Sequence, residues 1–184
     1  ISLGACFAFS NLVGNPSFET GGDVPDDWGS WFQNGATCEF NWEDSVAHTG
    51  SRSVSISNFQ GGTGDGIWGT SQSPAIVPGK AHVLSAWVKA ENLTSGQVLI
   101  FCWDAARGKA YSSMPIKEST NGWKQLFMIV QMGTNTGDIS FELRVNAINP
   151  EAKIYFDDAA CYPLPDNQLW LENASHSDST PENR

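Results

Sequence analysis

Turn chemistry punctuates this chain at short intervals, and that limits what it can fold into more than any other feature. Asn34-Gly35, Thr49-Gly50, Gly61 to Gly66, Pro78-Gly79, Ser95-Gly96, Asn121-Gly122, Asn135 to Gly137 and Asn149-Pro150 all interrupt regular structure. Gly and Asn reach left-handed backbone conformations, and Pro cannot donate to a ladder. The stretches between them are short, apolar-rich and free of helical periodicity. They predict strands near 5–13, 36–42, 52–58, 66–76, 81–90, 97–104, 109–115, 122–131, 138–146 and 153–162. Two of these alternate cleanly. Leu84, Ala86 and Val88 oppose Val83, Ser85, Trp87 and Lys89, while Ile139, Phe141, Leu143 and Val145 oppose Ser140, Glu142, Arg144 and Asn146. Period two with one apolar face is the pattern of a half-buried antiparallel strand. The fold class is therefore all-β, an antiparallel sandwich of two sheets, with polar strand faces available to line a groove. Residues 1–164 form the domain. Residues 165–184 bury little beyond Leu169-Trp170-Leu171 and read as a linker or disordered tail.

Charge removes whole classes of partner. Ten Lys and Arg face twenty Asp and Glu across 184 residues, a net charge of −10 and a pI near 4.5. A chain held to nucleic acid by phosphate neutralisation needs the opposite balance, and the same argument gives no anchor for an anionic membrane surface. No apolar run approaches the ~18 residues of a membrane span. The cysteines, Cys6, Cys38, Cys102 and Cys161, have no metal-ligand spacing. Free thiols and three full pairings are all open, and Cys6 with Cys161 would suit an exported protein by tying the first strand to the last. Ile1-Ser2-Leu3-Gly4 lacks a basic leader, so a mature or excised fragment is expected.

Catalytic signatures are weak. Gly64 to Gly69 fits GxGxxG, but β-type sequence follows it where a dinucleotide site needs a helix. His48, His82 and His176 lack zinc-protease spacing, and the central polar strand offers one carboxylate, Glu142, beside Arg144. Glycoside hydrolysis needs two carboxylates.

A set of short motifs runs in a characteristic order. Asn11-Leu12-Val13-Gly14-Asn15-Pro16-Ser17-Phe18-Glu19 precedes Trp28, followed by His48-Thr49-Gly50-Ser51-Arg52-Ser53-Val54, Trp68-Gly69, and Val77-Pro78-Gly79-Lys80 leading into Leu84 to Ala90. Asn121-Gly122-Trp123 and Ile154-Tyr155-Phe156-Asp157-Asp158-Ala159 complete it. Over residues 11–162 this resembles a carbohydrate-binding module of the calcium-containing β-jelly-roll group, which includes families four, nine, sixteen and twenty-two. The resemblance implies a jelly roll with a concave binding face. It also implies a structural Ca²⁺ held by the carboxylates of Glu19 and Asp157 and by carbonyls of Ser17, His48 and Ser51. Trp68 takes the position of the family's stacking tryptophan, and Trp103 and Tyr111 would rim the cleft. Trp87 would either line the groove or pack under a loop. Glu142, Arg144 and Asn146 would bind hydroxyls, Trp28 and Trp123 would be core, and Trp31 and Trp42 are left to core or loop packing.

The function so implied is non-catalytic binding of a polysaccharide or oligosaccharide, with neutral β-glucan or xylan favoured. The module would be a secreted or cell-surface monomer within a larger enzyme, binding neither nucleic acid nor membrane. A structural or adhesive jelly roll of a cell-surface protein is the alternative, and a jelly-roll hydrolase or lyase a third.

Overall fold

The computed structural model describes residues 10–165. The expected linker, apart from Pro165, and Cys6 lie outside the described residues. Ten strands fold into two five-stranded antiparallel sheets, and among the described residues there is no helix, hence none able to cross a membrane. The strands are β1 (Trp28–Gln33), β2 (Thr37–Glu43), β3 (Ser53–Gln60), β4 (Asp65–Thr70), β5 (Ala81–Glu91), β6 (Gln97–Asp104), β7 (Lys109–Ser112), β8 (Lys124–Gln131), β9 (Ile139–Asn146) and β10 (Lys153–Pro163). One sheet runs β1-β4-β9-β6-β7 and the other β2-β3-β10-β5-β8. The sandwich expected from the turn spacing is the observed architecture.

Nine of the ten expected strands have counterparts. The exception is the first: residues 5–9 lie outside the described residues, and residues 10–13 form no strand. Its place in the count is taken by β1, Trp-Gly-Ser-Trp-Phe-Gln, whose period is masked because Gly29 and Ser30 add little apolar signal. Residues 11–18 are instead tied to β10. Leu12 N–H donates to the Cys161 carbonyl at 2.9 Å, Ala159 N–H to that of Pro16 at 2.7 Å, and the Asn11 side chain bridges Ala159 and Cys161.

The core lies between the sheets. It is built by the inward phase of each strand: Val54, Ile56, Leu84, Ala86, Val88, Ile100, Phe141, Leu143, Val145, Ile154 and Phe156, all buried. Trp28 joins them as expected, packing on Phe18 with 4.8 Å between ring centroids, its Nε1–H donating to the Asn15 carbonyl. Trp42 packs against the same core from β2 and donates to the Phe18 carbonyl at 2.7 Å. Cys38, Cys102 and Cys161 are free thiols, and burial pushes the last two up to about 12, so they are inert apolar groups here.

Candidate carbohydrate-binding face

Alternation along each strand sends the residues between the core positions to the outer surface of β1-β4-β9-β6-β7. Register then sets them in rows. Gln33, Asp65, Asn146 and Gln97 lie across the sheet, then Trp31, Ile67, Arg144 and Leu99, then Gly29, Gly69, Glu142 and Phe101, and finally Ser140 and Trp103. One face thus gathers three aromatic rings and a band of polar side chains from four strands.

The polar band is a single connected network. Arg144 bonds Glu142 through Nε and Nη2, approaches Asp65 with Nη1 at 3.7 Å, and lays its guanidinium 3.9 Å from the Phe101 ring centroid. Ser140 Oγ donates to Glu142 Oε1 at 3.0 Å. Asp65 accepts from Asn146 at 3.0 Å, Asn34 at 3.2 Å and Gln33 at 3.4 Å. Glu142 and Asp65 are themselves buried, so these bonds hold the array rigid before any ligand arrives. Two carboxylates and one guanidinium leave this face with a charge of −1. Both acids share the same cation, whereas a glycosidase pair needs two contrasting environments.

The rings are placed differently. Trp31 lies against Gly69, where any Cβ would run into its six-membered ring, so a glycine is what lets the indole approach the sheet. Ile67 and Leu99, in the same row, are buried despite pointing outward. Trp103 is 40% exposed near the β6–β7 turn. Trp31 and Phe101 are half-buried, and flat rings beside fixed hydrogen-bonding groups suit a ligand with both apolar faces and hydroxyl edges.

Four expected site residues, Trp103, Glu142, Arg144 and Asn146, therefore meet on one face. Three do not. Trp68 pairs with Leu143 in the inward phase, is 2% exposed, donates Nε1–H to the Ser55 carbonyl at 3.1 Å and meets Phe40 edge-on at 5.6 Å. No sugar can stack on a ring so enclosed. Trp87 sits on the outer surface of the opposite sheet, stacked on His48 at 4.0 Å, with Trp123 edge-on to the same imidazole. Trp123 is thus half-buried at the surface and outside the core, contrary to expectation. Tyr111 pairs with Cys102, faces inward against the core, and receives a bond from Arg107 at its hydroxyl. Sequence reasoning missed Trp31 and Phe101, which alternation within their strands would have placed once the strands were phased.

The residues expected around Ca²⁺ lie at one loop on the far side of the molecule. Glu19 accepts from the Ser51 and Arg52 amides at 2.9 and 2.8 Å and from Ser51 Oγ at 2.9 Å. Gly50, at φ +64°, leaves room for that carboxylate. Burial pushes the Glu19 carboxyl up, but the Ser51 and Arg52 bonds prevail and bring it below its usual value. Asp157, fully buried, accepts from the His48, Thr49 and Asp158 amides at 2.7, 3.1 and 2.7 Å. Burial, with the neighbouring Asp158 charge, pushes it up to about 6 despite those amides. His48 Nδ1 meets Asp158 at 2.5 Å, and Ser17 lies in the turn before Phe18. Among the described residues no group of three or more carboxylates, histidines or cysteines is placed to hold a metal ion. The donor set is thus mixed: two acids brought to one loop, with N–H groups turned toward them.

The sequence matches the CBM_4_9 family, described as carbohydrate binding domain, over residues 10–153. Among curated proteins no sequence match was found. The fold is similar to that of a family 61 module solved with β-1,4-galactotriose (17% identity, 84% of this chain and 99% of that one, TM-score 0.60). It is also similar to the CBM22-1 xylan-binding domain of Paenibacillus barcinonensis Xyn10C (14% identity, 85% and 96%, TM-score 0.59). In an arabinose-bound GH51 α-L-arabinofuranosidase the similar region is 26% of a longer chain (17% identity, 84% of this chain, TM-score 0.62).

Proposed function

We propose, from the premise that the chain belongs to the CBM_4_9 family of carbohydrate-binding domains, that it binds a neutral polysaccharide across the outer face of β1-β4-β9-β6-β7. The observation that carries this is the pairing of the Trp31 and Trp103 rings with the prebuilt network of Gln33, Asn34, Asp65, Asn146, Arg144 and Glu142. Sugar C–H faces would stack on the indoles while hydroxyls exchange water for the amides and carboxylates. Charge selects among glycans. Arg144 spends its cation on Glu142, Asp65 and the Phe101 ring, so a uronic acid would meet a face of net negative charge. Lys89, on the opposite sheet, cannot help.

The module has no need of chemistry of its own. Tethered to an enzyme, it would raise the local concentration of substrate, which fits the larger chain in which the similar arabinofuranosidase region occurs. Export to a compartment that holds polysaccharide follows from that role. A structural Ca²⁺ at the loop of residues 48–52 belongs to the same reading. Glu19 and Asp157 supply the carboxylates, and the ion would use lone pairs that the amide bonds leave.

Affinity electrophoresis through neutral and uronate-bearing polysaccharides, with wild type, Trp31→Ala and Trp103→Ala in parallel, tests the proposal. Retardation by a neutral glycan that both variants weaken is expected. Retardation by none, from folded protein, would refute it in favour of a structural or adhesive domain.

A further inference from the structure

Four strands end the two sheets, and edges are normally blunted against pairing with another chain. β7 has only four residues. β2 breaks register between Thr37 and Glu39 and carries Glu39 and Glu43. β1 is six residues long and includes Gly29, which weakens a strand. β8 has none of these protections along Lys124–Val130, while the carbonyl of its last residue, Gln131, already accepts from Arg107 Nη1 at 3.2 Å. Its eight residues keep unbroken register with β5 from Ala81↔Gln131 to Val88↔Lys124, contain no proline, and carry one charge, at the first position.

The outer face of this edge is apolar. Phe127 is 62% exposed and Ile129 39%, and in their rows lie Val83 with Tyr162 and Ser85 with Ala160. Beside β8 a groove of roughly 700 Å³ opens toward residues 112–116, where Met114 is 80% exposed. Three of the largest exposed apolar side chains of the described residues thus surround one open strand edge.

We propose that β8 is a self-association strand, by which two copies pair antiparallel about a two-fold axis at Met128 and join their sheets into one of ten strands. The register follows from the strand's own sequence. Opposed residues in an antiparallel ladder must share a face, so the axis has to pass through a residue. Placed at Met128, it sets Phe127 against the partner copy's Ile129 on the outer face, Leu126 against Val130 on the inner face, and Gln125 against Gln131 at each flank. Aromatic with β-branched is a favourable cross-strand pair, and no like charges are opposed. The two Lys124 side chains end eight positions apart, about 27 Å along the ladder. Moving the axis by one residue, to Phe127 or Ile129, or by two, to Leu126 or Val130, would in each case set Phe127 or Ile129 against a glutamine. The glycan face lies on the other sheet and stays open, so a dimer would present two of them; that consequence rests on the proposed function, whereas the pairing does not.

Sedimentation velocity of the 184-residue chain across micromolar to sub-millimolar concentration provides the test. The expected mass rises from 19.9 kDa toward twice that value, and Phe127→Lys and Ile129→Lys each weaken the dimer at least about tenfold without altering thermal melting. Register is read by mixing Gln125→Cys chains with Gln131→Cys chains. The mixture should form a disulfide-linked dimer on mild oxidation, and neither variant alone beyond the wild-type background. A wild-type mass of 19.9 kDa throughout, a dimer indifferent to both lysines, or Gln125→Cys cross-linking to itself would each overturn the proposal. Unchanged glycan retardation in the lysine variants keeps this outcome separate from that of the binding proposal.

Discussion

Trp68 and Trp31 are two tryptophans in neighbouring strands whose substitution should have opposite consequences. Trp68→Ala removes a ring 2% exposed, with its edge contact to Phe40 and the bond from Nε1–H to the Ser55 carbonyl. Emptying a packed aromatic site costs about 3–5 kcal/mol. The buried Ser55 carbonyl loses this donor as well, which keeps the total inside that range rather than below it. For a domain of this size about 4 kcal/mol corresponds to a fall in Tm of roughly 8–16 °C. Trp31→Ala opens no internal cavity, since the ring lies on the outer surface against Gly69. Its cost to stability should stay near 1–2 kcal/mol, while loss of a stacking ring weakens glycan binding by about 2 kcal/mol, or ~30-fold. Urea unfolding followed by tryptophan fluorescence and titration calorimetry with a retained glycan separate the two quantities. If Trp68→Ala unfolded at the wild-type midpoint yet bound no glycan, the assignment of the two indoles would be reversed.

Three further expectations follow from single groups. Gly69→Ala places a methyl group where the Trp31 ring lies, and should lower glycan affinity and shift indole emission with little change in the unfolding midpoint. His82 is buried, its Nε2 accepting the Val77 N–H and its Nδ1–H facing the Lys80 carbonyl; burial drives its pKa below the usual 6.5, against the Lys80 bond. The neutral ring is favoured by the fold, so stability is complete above pH 6.5 and is lost as pH falls from there toward the lower folded value. Unfolding free energies from urea titration should therefore drop on acidification by up to about 1.4 kcal/mol per pH unit more in wild type than in His82→Gln; equal slopes would show that His82 is not the group. Calcium added to chelator-treated protein should raise Tm, and Glu19→Gln should abolish the rise; a melting curve indifferent to calcium would remove the ion from this module.

Architecture was legible because turn chemistry is local. A Gly or Asn at a left-handed position signals itself whatever surrounds it, so nine strands were found from breaks alone. The binding face was legible only where the alternation was unambiguous. In β9 every second residue from Ile139 to Val145 is strongly apolar, which fixed the outward phase and gave Glu142, Arg144 and Asn146. In β4 the sequence Asp-Gly-Ile-Trp-Gly-Thr offers an apolar residue in each phase and glycines in both, so composition cannot say whether Ile67 or Trp68 faces out. Only pairing with β9 decides, by setting Trp68 beside Leu143 and Ile67 beside Arg144. Trp31 was hidden for the same reason twice over. Its strand lacked a phase of its own, and the clue to its place, a neighbouring strand's Gly69, lies 38 positions away in the chain, where only register brings the two together. The side chains that make a β-sandwich bind are thus set by inter-strand phase, and a glycine diagonal to an aromatic residue of the next strand is the feature by which that phase could be sought in the sequence alone.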